Sequence, residues 1–168
     1  MRQMNTTTKD IGVASFLDLQ ATDSFLYQAY GGSASLGKRE VGAGSIYYVG
    51  VRDNTSAFLD GGKTYKLTVP GPVPGKLFWS ATVYDVDTRS MIATDQNKAL
   101  VGSLFTKFQP NSDGSIDIYF GPKAPPGKED VWIKTIPDKG FFVYFRIYGP
   151  EAPAFDGTWK LNNIVEMK

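Results

Sequence analysis

Two stretches of this sequence carry side chains suited to holding a small anion. Over residues 77–84 the even positions are Phe78, Ser80, Thr82 and Tyr84. Over residues 141–148 they are Phe142, Tyr144, Arg146 and Tyr148. In an extended chain successive side chains point to opposite faces. Each stretch therefore has a face of hydroxyls and aromatics, and a face that is apolar. The apolar faces are Leu77, Trp79, Ala81 and Val83 in the first, and Phe141, Val143, Phe145 and Ile147 in the second. If the two strands are neighbours, Ser80, Thr82, Tyr84, Tyr144, Arg146 and Tyr148 converge. Arg146 is then a bidentate donor for a carboxylate, phosphate or sulfate. The same positions also suit a solvated outer sheet face with cross-strand pairs, or a buried Arg–Asp network.

Other chemistries are excluded by composition. The chain has 168 residues with no histidine and no cysteine. No Ser-His-Asp or Cys-His nucleophile system can form within it, and no zinc site of the Cys/His kind. With no disulfide, the fold must stand on its core. Lys and Arg number 18 against 17 Asp and Glu, a formal net charge of +1. That balance, without a basic cluster, argues against a nucleic-acid partner. No apolar run reaches the roughly 18 residues a membrane helix needs. Residues 1–10 are polar and lack the apolar centre of a signal peptide. A periplasmic or extracellular location is expected only if the chain is a fragment of an exported protein.

The elements that must position these residues are strands. Aromatic residues make up 14% of the chain, with 18 Gly and 10 Pro, a composition of short strands and turns. Strands are expected over 46–52, 63–69, 76–84, 103–108, 115–120, 131–134 and 141–148, with a closing extended segment over 159–165. Turn signals such as Asp60-Gly61-Gly62, Asp113-Gly114 and Asp138-Lys139-Gly140 separate them. An amphipathic helix is expected over 6–30, followed by a glycine-rich loop to residue 44. The fold class predicted is all-β, a jelly-roll-like antiparallel β-sandwich with an N-terminal helical segment. Residues 1–44 form an extension and 45–168 the β-sandwich domain.

Several separate motifs carry a resemblance. Leu59-Asp60-Gly61-Gly62-Lys63-Thr64-Tyr65 is followed by Phe78-Trp79-Ser80-Ala81-Thr82-Val83-Tyr84-Asp85 and Thr88-Arg89-Ser90-Met91. Then come Tyr119-Phe120-Gly121-Pro122, Trp132-Ile133-Lys134-Thr135, Phe145-Arg146-Ile147-Tyr148-Gly149-Pro150 and Phe155-Asp156-Gly157-Thr158-Trp159. In this order they resemble the family called domain of unknown function 1214, over roughly residues 45 to 168. The resemblance implies a bacterial jelly-roll domain, often the C-terminal half of a protein whose N-terminal half is domain 1254. It implies no reaction and no cofactor. Against that arrangement this sequence is expected to be an excised or naturally isolated C-terminal module, and residues 6–30 would be the linker helix between the halves.

Further constellations were weighed against structural roles. Asp85 and Asp87 after a strand could bind Ca²⁺. Arg89 stands where a third oxygen ligand belongs, so turn hydrogen bonds or pairing with Arg89 are favoured, and no metal is expected. Asp60, Asp85, Asp117 and Asp156 are the carboxylates nearest strands, the acid–base candidates for a glycosidase. Trp79, Trp132 and Trp159 could stack on sugars, although aromatics at strand positions usually form core. The function expected is a non-catalytic ligand-binding or interaction module that takes a small polar or anionic ligand or packs on a companion domain or a second copy. The alternative is a carboxylate- or tyrosine-dependent hydrolase or lyase on a carbohydrate or small polar substrate.

Overall fold

A computed structural model describes residues 2–3 and 40–167 of the chain. The helix expected over 6–30 lies outside the described residues. Among the described residues nine strands are present: β1 (Arg2–Gln3), β2 (Ser45–Gly50), β3 (Tyr65–Val69), β4 (Gly75–Asp85), β5 (Leu100–Gly102), β6 (Ile116–Gly121), β7 (Trp132–Lys134), β8 (Phe141–Pro150) and β9 (Ile164–Glu166). Among the described residues the α-helix content is one turn, α1 (Pro153–Asp156), which ends on Gly157 in the left-handed conformation. No described helix is long and apolar enough to cross a membrane.

The strands form two sheets, ordered β1-β2-β8-β4-β5 and β7-β6-β3-β9. Pairing is antiparallel except between β1 and β2 and between β6 and β7, which run parallel. Among the described strands, β1–β2, β4–β5 and β6–β7 pair in sequence, and the other five successive connections cross between the sheets. The result is the all-β sandwich expected from the turn spacing.

Alternation decides which face is core. In β3, Tyr65, Leu67 and Val69 are fully buried, and they oppose Phe120, Ile118 and Ile116 of β6. In β4, Trp79, Ala81 and Val83 oppose Ile147, Phe145 and Val143 of β8. These residues from both sheets join one cluster with Leu59, Phe141, Trp159 and Ile164. Ring contacts tie it together: Trp79 stacks on Phe145 at 5.3 Å, and Tyr48 meets Trp159 edge-on at 5.8 Å.

Three expectations need correction. Leu77, placed on the apolar face of β4, is 64% exposed. The register slips between Gly75 and Phe78, so two β4 residues stand against Gly149 alone and Leu77 leaves the alternation. Gly149 is required there: its φ is +59°, and a Cβ would meet Leu77 Cγ at 3.2 Å. The strand expected over 103–108 is instead β5, Leu100–Gly102, followed by a turn. Thr106 N donates to Gly102 O, and Ser103 Oγ accepts from Trp79 N at 3.1 Å. A Cβ at residue 102 would lie 2.8 Å from Trp79 O, so the glycine permits this close return. The segment over 159–165 pairs only as β9. Trp159 is buried and donates its indole N–H to Pro70 O at 3.0 Å.

The free edge of β7 is closed by a side chain. Gln96 Nε2 donates to Trp132 O at 3.1 Å, and Lys134 N donates to Gln96 Oε1 at 2.8 Å. The amide thus imitates a neighbouring strand and blunts the edge. Beside it, Lys134 pairs with Asp95, which is exposed. Gln96→Ala is expected to lower stability by about 1–3 kcal/mol, since it leaves a backbone donor and an acceptor unpaired. Asp95→Ala is expected to leave the chemical-denaturation midpoint nearly unchanged. Equal effects from the two substitutions would contradict this account of the edge.

Candidate functional site

The patch is built on the pairing of β4 with β8. Across the outer face, Phe78 opposes Tyr148, Ser80 opposes Arg146, Thr82 opposes Tyr144 and Tyr84 opposes Phe142. All six residues singled out from the sequence therefore lie on one sheet face. The strand β2 flanks β8 on its other side and sets Tyr47 opposite Arg146 and Val49 opposite Tyr144. Tyr47 thus joins the patch. Spacing alone does not point to it, because both faces of β2 carry aromatic or aliphatic residues.

Arg146 lies at the centre. Its Nη2 donates to the Tyr84 hydroxyl at 2.6 Å. Its Cζ lies 5.3 Å from the Tyr47 ring centroid, 5.8 Å from Tyr144 and 5.9 Å from Tyr84. Such ring contacts are worth about 0.5–2 kcal/mol each, depending on desolvation. None of the four ion pairs among the described residues includes Arg146. Its Nε is shielded from solvent and has no hydrogen-bond partner among the described residues. The Arg–Asp network considered from the sequence is therefore not formed by the described residues. A tyrosine cage surrounds the guanidinium instead.

The rest of the face is aromatic above and polar below. Phe78 and Tyr148 stack at 4.1 Å on one side of Arg146, and Tyr84 and Phe142 stack at 5.3 Å on the other. Ser80 and Thr82 are 6% and 3% exposed, so their hydroxyls lie in the floor. Burial raises the pKa of the Tyr144 phenol, and the charges of Arg146 and Arg89 offset part of that rise. Burial opposes the charge of Arg146, but the Tyr84 and Tyr148 hydroxyls outweigh it and leave its pKa above the ordinary value. An always-charged planar fork, ringed by phenols and lacking a carboxylate, is suited to receiving an oxyanion.

The carboxylates are engaged elsewhere. Asp85 Oδ1 accepts from Asp87 N at 2.8 Å and Thr88 N at 2.9 Å, while Oδ2 pairs with Lys139 at 3.4 Å rather than with Arg89. Asp60 accepts from Gly62 N, and Asp156 accepts from Thr158 N and Oγ1. Asp117 belongs to the other sheet, where it accepts from Thr68 Oγ1 and lies 3.6 Å from Lys66. Among the described residues no three acidic side chains gather into a metal-binding group. The tryptophans form no open platform. Trp79 and Trp159 are each 7% exposed, and the Trp132 indole N–H donates to Gly121 O at 2.9 Å.

The comparisons with known proteins concern the same β domain. The sequence pattern of the family described as "Protein of unknown function (DUF1214)" matches residues 44–152. The fold is similar to the crystal structure of the VPA0106 protein from Vibrio parahaemolyticus, with a TM-score of 0.64 and 24% identity. The similarity covers 74% of this chain and 31% of that one, so this chain spans about a third of the Vibrio protein. An uncharacterised protein from Burkholderia cenocepacia matches with a TM-score of 0.45 and 13% identity, over 89% of this chain and 43% of that one. No curated protein matches the sequence.

The turn carboxylates predict an acid limit. Backbone donation from Thr88, first among the causes, holds the Asp85 pKa below its ordinary 3.8. The Ser115 hydroxyl does the same for Asp113, and the Thr158 hydroxyl for Asp156. At Asp53 burial acts to raise the pKa, but donors from Thr55 and Ala57 outweigh it and the net shift is down. A carboxyl with a depressed folded-state pKa stabilises the fold above the unfolded value, and that stabilisation is lost as pH falls through the folded one. The urea midpoint is expected to hold steady from pH 7 to 5 and to fall below about pH 4. Asp85→Asn is expected to lower the midpoint at pH 7 and flatten the acid limb. An unchanged acid limb in that variant would contradict the assignment.

Proposed function

The chain belongs to the DUF1214 family, and from the Arg146 face we propose that it is a binding module for small molecules carrying a carboxylate on a planar or apolar body. The observation that carries this reading is the state of Arg146. It is a caged guanidinium with no carboxylate partner among the described residues and with a shielded, unpartnered Nε. A buried charged donor left without an acceptor costs on the order of 1–3 kcal/mol, a deficit that an anionic oxygen removes. The stacked pairs Phe78–Tyr148 and Tyr84–Phe142 supply flat apolar surface on either side. A ligand held there would present its carboxylate to Arg146 and its body to the rings. The floor hydroxyls of Ser80 and Thr82 and those of Tyr144 and Tyr148 would complete the polar contacts.

The module is further read as working joined to another domain or to a second copy. The greater length of the Vibrio relative supports this, because its chain extends well beyond the shared β domain. In the same reading the binding domain starts near residue 45. The family match begins at residue 44 and the first strand of the main pairing at Ser45.

Benzoate is the simplest probe, and calorimetry the measurement. Wild-type protein is expected to bind it saturably. Arg146→Met is expected to weaken binding at least roughly tenfold, the loss of a charge-assisted hydrogen-bonded pair. Arg146→Lys keeps the charge but not the planar fork, so an intermediate loss is expected. The denaturation midpoint of each variant separates loss of binding from loss of folding. Undetectable benzoate binding, or equal binding by folded Arg146→Met, would overturn the reading.

A further inference from the structure

One charged residue stands in the turn that follows β4, at the end of this face. After β4 the chain turns at Asp85, and Arg89 N donates to Asp85 O at 3.0 Å. The returning segment runs back beside β4: Asp85 N donates to Ser90 O, and Met91 bridges Tyr84. Arg89 is therefore held at the Tyr84 end of the patch. It is exposed, and it belongs to none of the ion pairs among the described residues. Of the two carboxylates in this turn, Asp85 is taken by Lys139, and Asp87 makes no ion pair with Arg89. Burial raises the pKa of the Tyr144 phenol, and the charges of Arg146 and Arg89 both act to lower it. The backbone at Arg89 has φ +59°, a left-handed conformation in which a side chain is disfavoured relative to glycine.

We infer that Arg89 is the second anion-binding residue of this site, a rim clamp that makes it selective for ligands with two separated carboxylates. Arg146 holds one carboxylate in the tyrosine cage, and Arg89 receives the other from the solvent side. The inference rests on the proposed binding role of Arg146 and extends it to ligand class. A single guanidinium matches a monoanion. Two guanidinia, one caged and one at the rim, match a dianion whose charges are carried apart on one body. Because Arg89 is exposed, its contribution is screened by salt, whereas that of Arg146 persists.

The test compares benzoate with isophthalate and terephthalate, which share its ring and add a second carboxylate. Wild-type protein is expected to bind at least one dicarboxylate roughly five- to tenfold more tightly than benzoate at low salt. Arg89→Gly fits the left-handed backbone, so folding is retained. That variant is expected to lose the dicarboxylate preference, with its benzoate affinity falling much less than its dicarboxylate affinity. High salt is expected to erase the same preference in the wild type. Arg146-dependent benzoate binding without a dicarboxylate preference would overturn the role of Arg89 and leave the proposed function standing. A preference that survives Arg89→Gly would overturn it equally. Absence of benzoate binding would instead remove the proposed function on which the inference rests.

Discussion

The register of β4 against β8 matches Trp79 to Ile147, Ala81 to Phe145 and Val83 to Val143 on one side, and Ser80 to Arg146 and Thr82 to Tyr144 on the other. A slip of one residue would exchange these faces, burying the arginine in the sandwich and exposing the core. Burying an unpaired guanidinium costs several kcal/mol, and losing several core side chains to solvent costs more. The hydrophobic core therefore fixes the register, and the register assembles the arginine patch without further instruction. The site follows from the same constraint that closes the fold.

Around that pairing the structure depends on a few local devices. The bulge opposite Gly149 ends the alternation in β4 and turns Leu77 outward. Gly102 lets the chain return close to the Trp79 carbonyl and stop β5 after three residues. Gln96 closes an exposed edge with its amide. The aspartates hold turns through paired backbone and hydroxyl donors, as at Asp53, Asp113 and Asp156. Among the described residues, their commitment to turns leaves the arginine face without a carboxylate of its own. Arg146 accordingly enters no ion pair among them, the condition from which the proposed binding role starts.

The parts legible in the sequence were those governed by long alternation. β4 and β8 are the longest strands, and their two-residue period separates core from patch over most of their length. β3 and β6 were legible for the same reason, aided by the Asp60-Gly61-Gly62 and Asp113-Gly114 turns. β5 and β9 were not, since three residues are too few to show a period. Leu104 and Phe105 looked like strand residues because they are apolar, yet both are exposed on a turn. Arg89 was visible only as a partner for nearby aspartates. Its place at the Tyr84 end of the face depends on the chain folding back beside β4, a tertiary fact that spacing does not encode. Tyr47 was hidden because its strand carries apolar residues on both faces.

The tyrosine cage gives the site its character. Phenol rings favour a guanidinium through their faces while leaving its net charge unneutralised. The group is thereby held in one orientation, at low dielectric, and still attractive to an oxyanion. Among the described residues, Arg146 is the arginine with three tyrosine rings about its guanidinium. The most direct measurement is the ¹⁵Nε–¹Hε resonance of Arg146, followed during a benzoate titration. Hydrogen bonding of a carboxylate at the unpartnered Nε is expected to move that resonance downfield, saturably and further than the other arginines. A resonance that stays fixed while benzoate is added would contradict the account.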